Sequence, residues 1–366
     1  MPRLVMVVNR DEIVLKVASA EMNKTLDHGY LREGRVIRRL VSLVDPVTNL
    51  IAEYDRRVNL AGDNEEIEFV TSSEAEDRIF HSYKELIRWC PSVEELMKTT
   101  QPAKGRKRAT TWQDLQKGAD RARADDTNTL KSSVATWLNE QRPHLVPPFS
   151  VTEKRGRGFG HEVTGRLLSP VDYSWSNPVV RRAIQDRNPH YAVTAYMWPR
   201  FLYRKGRYDR LHPSKDLFKG ELLVRAFRCI FTSPSSACED PTASSDSDDD
   251  QPRPSRADHR VHTRCNVARL SNMQTVEPRA IAYIAVQLRF ALSNRTSWDL
   301  KDDNFNYRLF YNNIVDWFEC PQSEAKAEEI KDLLIWWNAT IFDPRRSPTP
   351  QLQEPVENLS VAMSME

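Results

Sequence analysis

Residues 278–293 read PRAIAYIAVQLRFALS, the longest apolar segment of the chain, interrupted only by Arg279, Gln287 and Arg289. At about 100° per residue, Ile281, Ile284, Ala285, Leu288 and Leu292 fall on one face of a helix, and Ala282, Tyr283, Val286 and Phe290 cover the opposite side. A helix apolar nearly all round is either enclosed by other elements or spans a membrane. This one is shorter than the roughly 20 residues a span needs, and it carries internal polar side chains. It therefore predicts a central helix around which others pack. Gln287 and Arg289 lie about 160° apart on the helical wheel, so they cannot share one wet side. An enclosed arginine without acceptors costs on the order of several kcal/mol. Arg289 is thus expected to form a structural ion pair, with Asp299, Asp302, Asp303 and Asp316 as candidates. In a sharper form of that expectation, Arg289 is the anion-binding group of a pocket.

The rest of the chain repeats the helical period. Residues 11–26 place Ile13, Val14, Val17 and Ala20 on one side. Residues 31–58 carry two apolar clusters that Pro46 should kink or divide. Ser73 with Glu76 has capping-box spacing and opens a helix running to Trp89; Ser92 with Glu95, and Thr110 with Gln113, predict two further starts by the same device. Asn177-Pro178 is a cap followed by proline at the first helical position. Helices are expected over 217–231, 305–318 and 324–341, and Trp198–Tyr203 reads as an aromatic plug. Strand-like alternation is weak, so the class is mainly α. The expected organisation is an N-terminal helical region (1–98), a basic linker (99–108), a helical connector (109–142) and a C-terminal domain (143–343). That last domain is a multi-helix, bundle-like unit around the central helix. Residues 233–260, with the acidic run 245–250, lack the apolar content to order themselves and predict a disordered insert. Residues 344–366 predict a disordered tail.

The second half also carries a resemblance. RGFGHEVTGRLLSPVDYSWSNP, WPRFLY, FKGELLVRAFRCIFTSPSSA, NVARL, TVEPRAIAYIAVQLRFALS and FYNNIVDWFE, in that order, resemble an uncharacterised family of basidiomycete fungal proteins carried as a domain of unknown function. The resemblance covers roughly residues 143–342. It implies that 158–168 and 231–237 belong to the folded domain's signature, and it brings no activity, cofactor or catalytic residue with it.

Function has to be argued from local clusters, because the net charge of +2 selects no partner. The basic, glycine-rich stretch 154–168 has neither phosphate-loop nor dinucleotide spacing. Cys229, Cys238, His259, His262 and Cys265 match no zinc spacing, and no metal or cofactor is expected. The five cysteines form no CxxC pair and read as reduced thiols of an intracellular protein. No segment qualifies as a membrane span. Lys104, Arg106, Lys107 and Arg108 form a basic tetrad that reads as a linker or a nuclear-import signal. Arg200, Arg204, Lys205 and Arg207 interleave with Phe201, Tyr203 and Tyr208, a mixture that suits phosphate contact plus base stacking. Arg253, Arg256, Arg260 and Arg264 add a second basic stretch. The leading expectation is a non-enzymatic helical binding protein that meets a protein partner and is open to nucleic acid. The alternative is a metal-dependent nuclease or phosphohydrolase using Asp299, Asp302, Asp303, Asp316 and Glu319. Convergence of those carboxylates would favour the enzyme, and their dispersal to helix ends, as caps and dipole partners, the binder.

Overall fold

The helix α10 (Pro278–Leu292) starts with proline at its first position, and every residue from Arg279 to Leu292 is buried. A computed structural model describes residues 29–61, 67–98, 105–140, 144–233 and 266–342 of the chain. The helix expected over 11–26, most of the linker, the insert 234–260 and the tail 344–366 lie outside these residues. Within them the fold is mainly α, and the pairing of β1 (Lys301–Asp302) with β2 (Phe305–Asn306) is the sole sheet. The enclosure of α10 explains its apolar circumference: neighbours press on every side.

Those neighbours come from both halves of the chain. A helical turn over residues 29–34 (α1) leads into a π-turn, Ile37–Val41, and Pro46 separates this from α2 (Val47–Ala61). The predicted capping box is present: Ser73 and Glu76 cap α3 (Glu74–Trp89) reciprocally. The second expected box is not. Pro91 takes the first position of α4 (Pro91–Lys98), and the Ser92 N–H donates instead to Glu33 Oε1 at 3.1 Å. The third is not formed either, because α5 (Gly105–Glu140) begins before Thr110. Arg106, Lys107, Arg108 and Ala109 are good helix formers, so the helix extends back into the stretch read as linker. α1 crosses α5 at close range through Gly34 and Gly118. A Cβ on Gly34 would stand 2.2 Å from the Leu115 carbonyl oxygen, and one on Gly118 2.2 Å from that of Leu31.

The central helix is tied to this N-terminal layer by its polar groups. Asp126 of α5 accepts two bonds from Arg39, at 2.8 and 2.6 Å, and one from the Tyr283 hydroxyl at 2.8 Å, all buried. Arg279 donates to the Val41 carbonyl (2.5 Å), to Ser82 Oγ (3.0 Å) and, through Nε and Nη2, to Glu319 at 2.7 and 2.9 Å. Gln287 is fully buried and accepts from Thr127 Oγ1 at 2.8 Å.

Past α5, short helices α6 (Glu162–Leu168) and α7 (Pro178–Gln185) sit among loops, and Asn177 caps α7 as predicted. Trp198 packs edge-on against Phe218, while Phe201, Leu202 and Tyr203 are buried, so this stretch does plug a loop onto the body. The helix expected from 217 starts later. Phe218 adopts φ 58°, Gly220 is the cap, and α8 (Glu221–Phe227) then runs into a π-turn, Arg228–Thr232. After α9 (Val267–Leu270) and α10, the β1–β2 hairpin turns at Asp303, and Asn306 caps α11 (Tyr307–Glu319). Phe305, expected to be helical, therefore belongs to the strand. α12 (Glu324–Phe342) ends the described chain.

Candidate functional site

The glycine-rich basic stretch acts on the end of the central helix. Lys154 Nζ donates to the Phe290 carbonyl, and to Ser293 Oγ at 3.3 Å; Arg157 Nη1 donates to the Ala291 carbonyl at 2.9 Å. Cations at a helix C-terminus satisfy its orphan carbonyls and complement the dipole. Both side chains are buried. Burial pushes the Lys154 ammonium down to about 7, with Arg157 adding to the shift, and pushes Arg157 down to about 10. Gly158 then turns at φ 82° against Asn294, where a Cβ would meet the Asn294 nitrogen at 3.3 Å.

This turn forms one wall of a cleft of about 320 Å³. Five separate stretches line it: 158–160, the end of α6 at Leu168, the end of α7 with 187–193, the end of α10, and the hairpin turn 302–304. Leu168, Ile184 and Val193 supply apolar wall; Arg187, Arg289, Asp302 and Asp303 supply charge. Arg289 is 3% exposed, and its guanidinium stacks over Phe305 at 3.3 Å from the ring centroid. Its Nη1 reaches Asp302 Oδ2 at 3.3 Å and donates to the Tyr307 hydroxyl oxygen at 2.8 Å. Arg295 holds Asp302 and Asp303 at 2.6 Å each, and Arg187 meets Asp303 at 3.3 Å. Arg187 and Asp303 both sit at positive φ, 57° and 55°, a region few non-glycine residues occupy.

The other carboxylates of the expected cluster lie elsewhere. Asp302 and Asp303 precede α11, whereas Asp316 and Glu319 close it, and thirteen residues of helix put about 20 Å between the two groups. Asp316 pairs with Arg78 at 2.8 Å, and Glu319 with Arg279. Burial raises the Asp316 carboxyl, against the pull of Arg78. Asp299 accepts from the Lys301 N–H at 3.4 Å. Among the described residues no group of three His, Cys, Asp or Glu side chains is placed to hold a metal ion. Cys229 is buried in the π-turn after α8; Cys238, His259, His262 and Cys265 lie outside the described residues, as do Arg253, Arg256, Arg260 and Arg264.

The basic loop is arranged differently from its sequence pattern. Phe201 and Tyr203 are 2% and 1% exposed, so they pack the core and are closed to bases. Arg200 turns inward, its Nη2 donating to the Tyr173 carbonyl at 2.7 Å. Arg204, Lys205 and Arg207 point outward. The neighbouring aromatic is Trp336 of α12, half-buried, with the Arg204 guanidinium and the Lys219 ammonium each 5.5 Å from its ring. Neither Trp336 nor Lys219 carries a local sequence signal for this role: Trp336 follows Arg204 by more than a hundred residues.

The profile of a family of unknown function, DUF6698, matches residues 117–342. The chain belongs to this family. The DUF6698 region starts inside α5, further upstream than the motif resemblance reached, and it contains α10, the whole cleft, the basic loop and Trp336. Arg39 and Arg279's partners Val41 and Ser82 lie upstream of it. No curated protein and no solved structure matches the chain. No helix of the described residues is long and apolar enough to cross a membrane.

Proposed function

We propose that this DUF6698 chain works by binding, without catalysing a reaction, and that it meets a protein partner and nucleic acid. The observation that carries the reading is the fate of its charged groups. Four of the five carboxylates of the alternative, hydrolytic reading, Asp302, Asp303, Asp316 and Glu319, are spent on arginines at opposite ends of α11, while Arg204, Lys205 and Arg207 are exposed and Arg204 and Lys219 stand beside Trp336. A cationic edge beside a half-buried aromatic suits phosphate contact with a base stacked on the ring. Glu221, which accepts from the Lys205 N–H at 3.0 Å, tempers that edge, so binding should be weak and tolerant of sequence. The unbridged thiols of Cys90 and Cys320 fit the intracellular reading, and the tetrad Lys104–Arg108 remains our candidate for nuclear import. The basidiomycete origin of the family rests on the motif resemblance alone.

Fluorescence anisotropy with a labelled single-stranded oligonucleotide at low salt tests this directly. Replacing Arg204, Lys205 and Arg207 together with alanine should weaken binding and lower the salt slope by about 2 to 3, since each phosphate left without its cation removes roughly 0.7–0.9. Trp336→Ala should cost about 1–3 kcal/mol of the remaining affinity. The oligonucleotide should stay intact in Mg²⁺ or Mn²⁺. Cleavage that disappears in Asp302→Asn would instead favour the hydrolase.

A further inference from the structure

Arg289 is bonded differently from Arg39 and Arg279. Arg39 presents Nε and Nη2 together to Asp126, and Arg279 presents the same edge to Glu319. This is the side-on fork that matches a carboxylate bidentately. In Arg289 the fork is empty: Nε is buried without a partner, and Nη2 donates to no described group, because both of its bonds leave from Nη1. A buried donor left without an acceptor is costly. Arg289 nevertheless lines the cleft, held in place by Phe305, Tyr307 and Asp302. Around it three guanidinium groups, Arg187, Arg289 and Arg295, face two carboxylates, Asp302 and Asp303, and the buried Lys154 ammonium lies at the same helix end.

We propose that the cleft binds an organic monocarboxylate, with its carboxylate on the Arg289 guanidinium that lines the cleft and an apolar body against Leu168, Ile184 and Val193. An excess of cations over carboxylates suits an anionic ligand. The apolar wall excludes a bare inorganic anion as the best fit, and about 320 Å³ lies at the small end of ligand sites. The same chemistry is offered by a free short-chain acid and by the chain end of a peptide with an apolar last residue. This site is independent of the basic loop, so it stands whether or not the chain binds nucleic acid.

Calorimetric titration of the full chain decides the matter with five probes: hexanoate, hexanamide, an acetylated tripeptide ending in leucine as its free acid, the same tripeptide as its amide, and inorganic phosphate. At least one free acid should bind, with its amide at least tenfold weaker and phosphate weaker still. Binding confined to the peptide acid assigns the chain end; binding of hexanoate assigns the free acid. Val193→Trp, which fills the apolar wall, should abolish binding. Arg187→Asn, on the exposed rim, should weaken it several-fold. The pair Arg289→Leu with Asp302→Asn removes the fork without stranding a charge and should also abolish it. Acid and amide binding alike, phosphate binding as tightly as the acids, no heat from any probe at millimolar concentration, or full affinity in Val193→Trp would overturn the assignment.

Discussion

Asp126→Ala is expected to cost the chain about 3–5 kcal/mol of stability, the range for breaking a buried ion pair from one side. Arg39 and Asp126 have side chains 5% and 6% exposed, and Tyr283, fully buried, donates to the same carboxylate. The variant leaves a guanidinium and a phenol enclosed with nothing to replace the acceptor. Changing both partners, Arg39→Met with Asp126→Leu, removes the stranded charge, so the double variant should lose much less than the sum of the singles. Denaturant melts measure the coupling. It also reports on architecture, because Arg39 lies upstream of the family-matched residues and Asp126 within them. Losses that add to within about 0.5 kcal/mol would mean that the N-terminal layer is not held through this pair.

The second large effect is a pH dependence centred on Lys154. Its ammonium is buried at the end of α10, beside Arg157, Lys131 and Arg289, with Asp302 the nearest compensating charge, and is pushed down to about 7 from a usual 10.5. Between those two values the unfolded chain holds the proton and the folded chain does not, so stability rises with pH through the window. Below about pH 7 the full penalty of enclosing the cation is present; it fades as the pH approaches 10.5. The slope from this one group is at most about 1.4 kcal/mol per pH unit. Melts of the wild-type chain and of Lys154→Met from pH 6 to 9.5 should therefore converge on one side: the variant gains most at pH 6, and the wild type closes the gap as the pH rises. Parallel curves would show that the helix-end carbonyls keep Lys154 charged throughout.

The sequence announced α10 because its period is filled with apolar residues on every face, a pattern only enclosure explains. Ser73 with Glu76 and Asn177 with Pro178 were legible for a similar reason: each is a short local device whose partner sits within a turn. The same device misled at Thr110 with Gln113, where the residues fall inside a longer helix and the pattern has no orphan N–H groups to satisfy. The alternation of Arg and aromatic residues at 200–208 reads identically for a stacking surface and for a loop plugged into the core. Only packing distinguishes them, and it turns Phe201 and Tyr203 inward while bringing Trp336 alongside from α12. That at least one of Gln287 and Arg289 is enclosed followed from their places in the apolar run, and both are buried. That the carboxylate-binding edge of Arg289 meets no carboxylate did not, since the cleft is assembled from five separate stretches and no local spacing encodes their meeting.

Arg289 keeps for a ligand, on our proposal, the edge that Arg39 and Arg279 commit to the fold. Arginine side-chain ¹⁵N–¹H spectra of the full chain put this to the test, with the Nε–H signals of these three residues followed as the better-binding free acid is added. The Arg289 signal should move and saturate while those of Arg39 and Arg279 stay still. An Arg289 signal that does not move under saturating acid, or three signals that drift together, would refute the proposal.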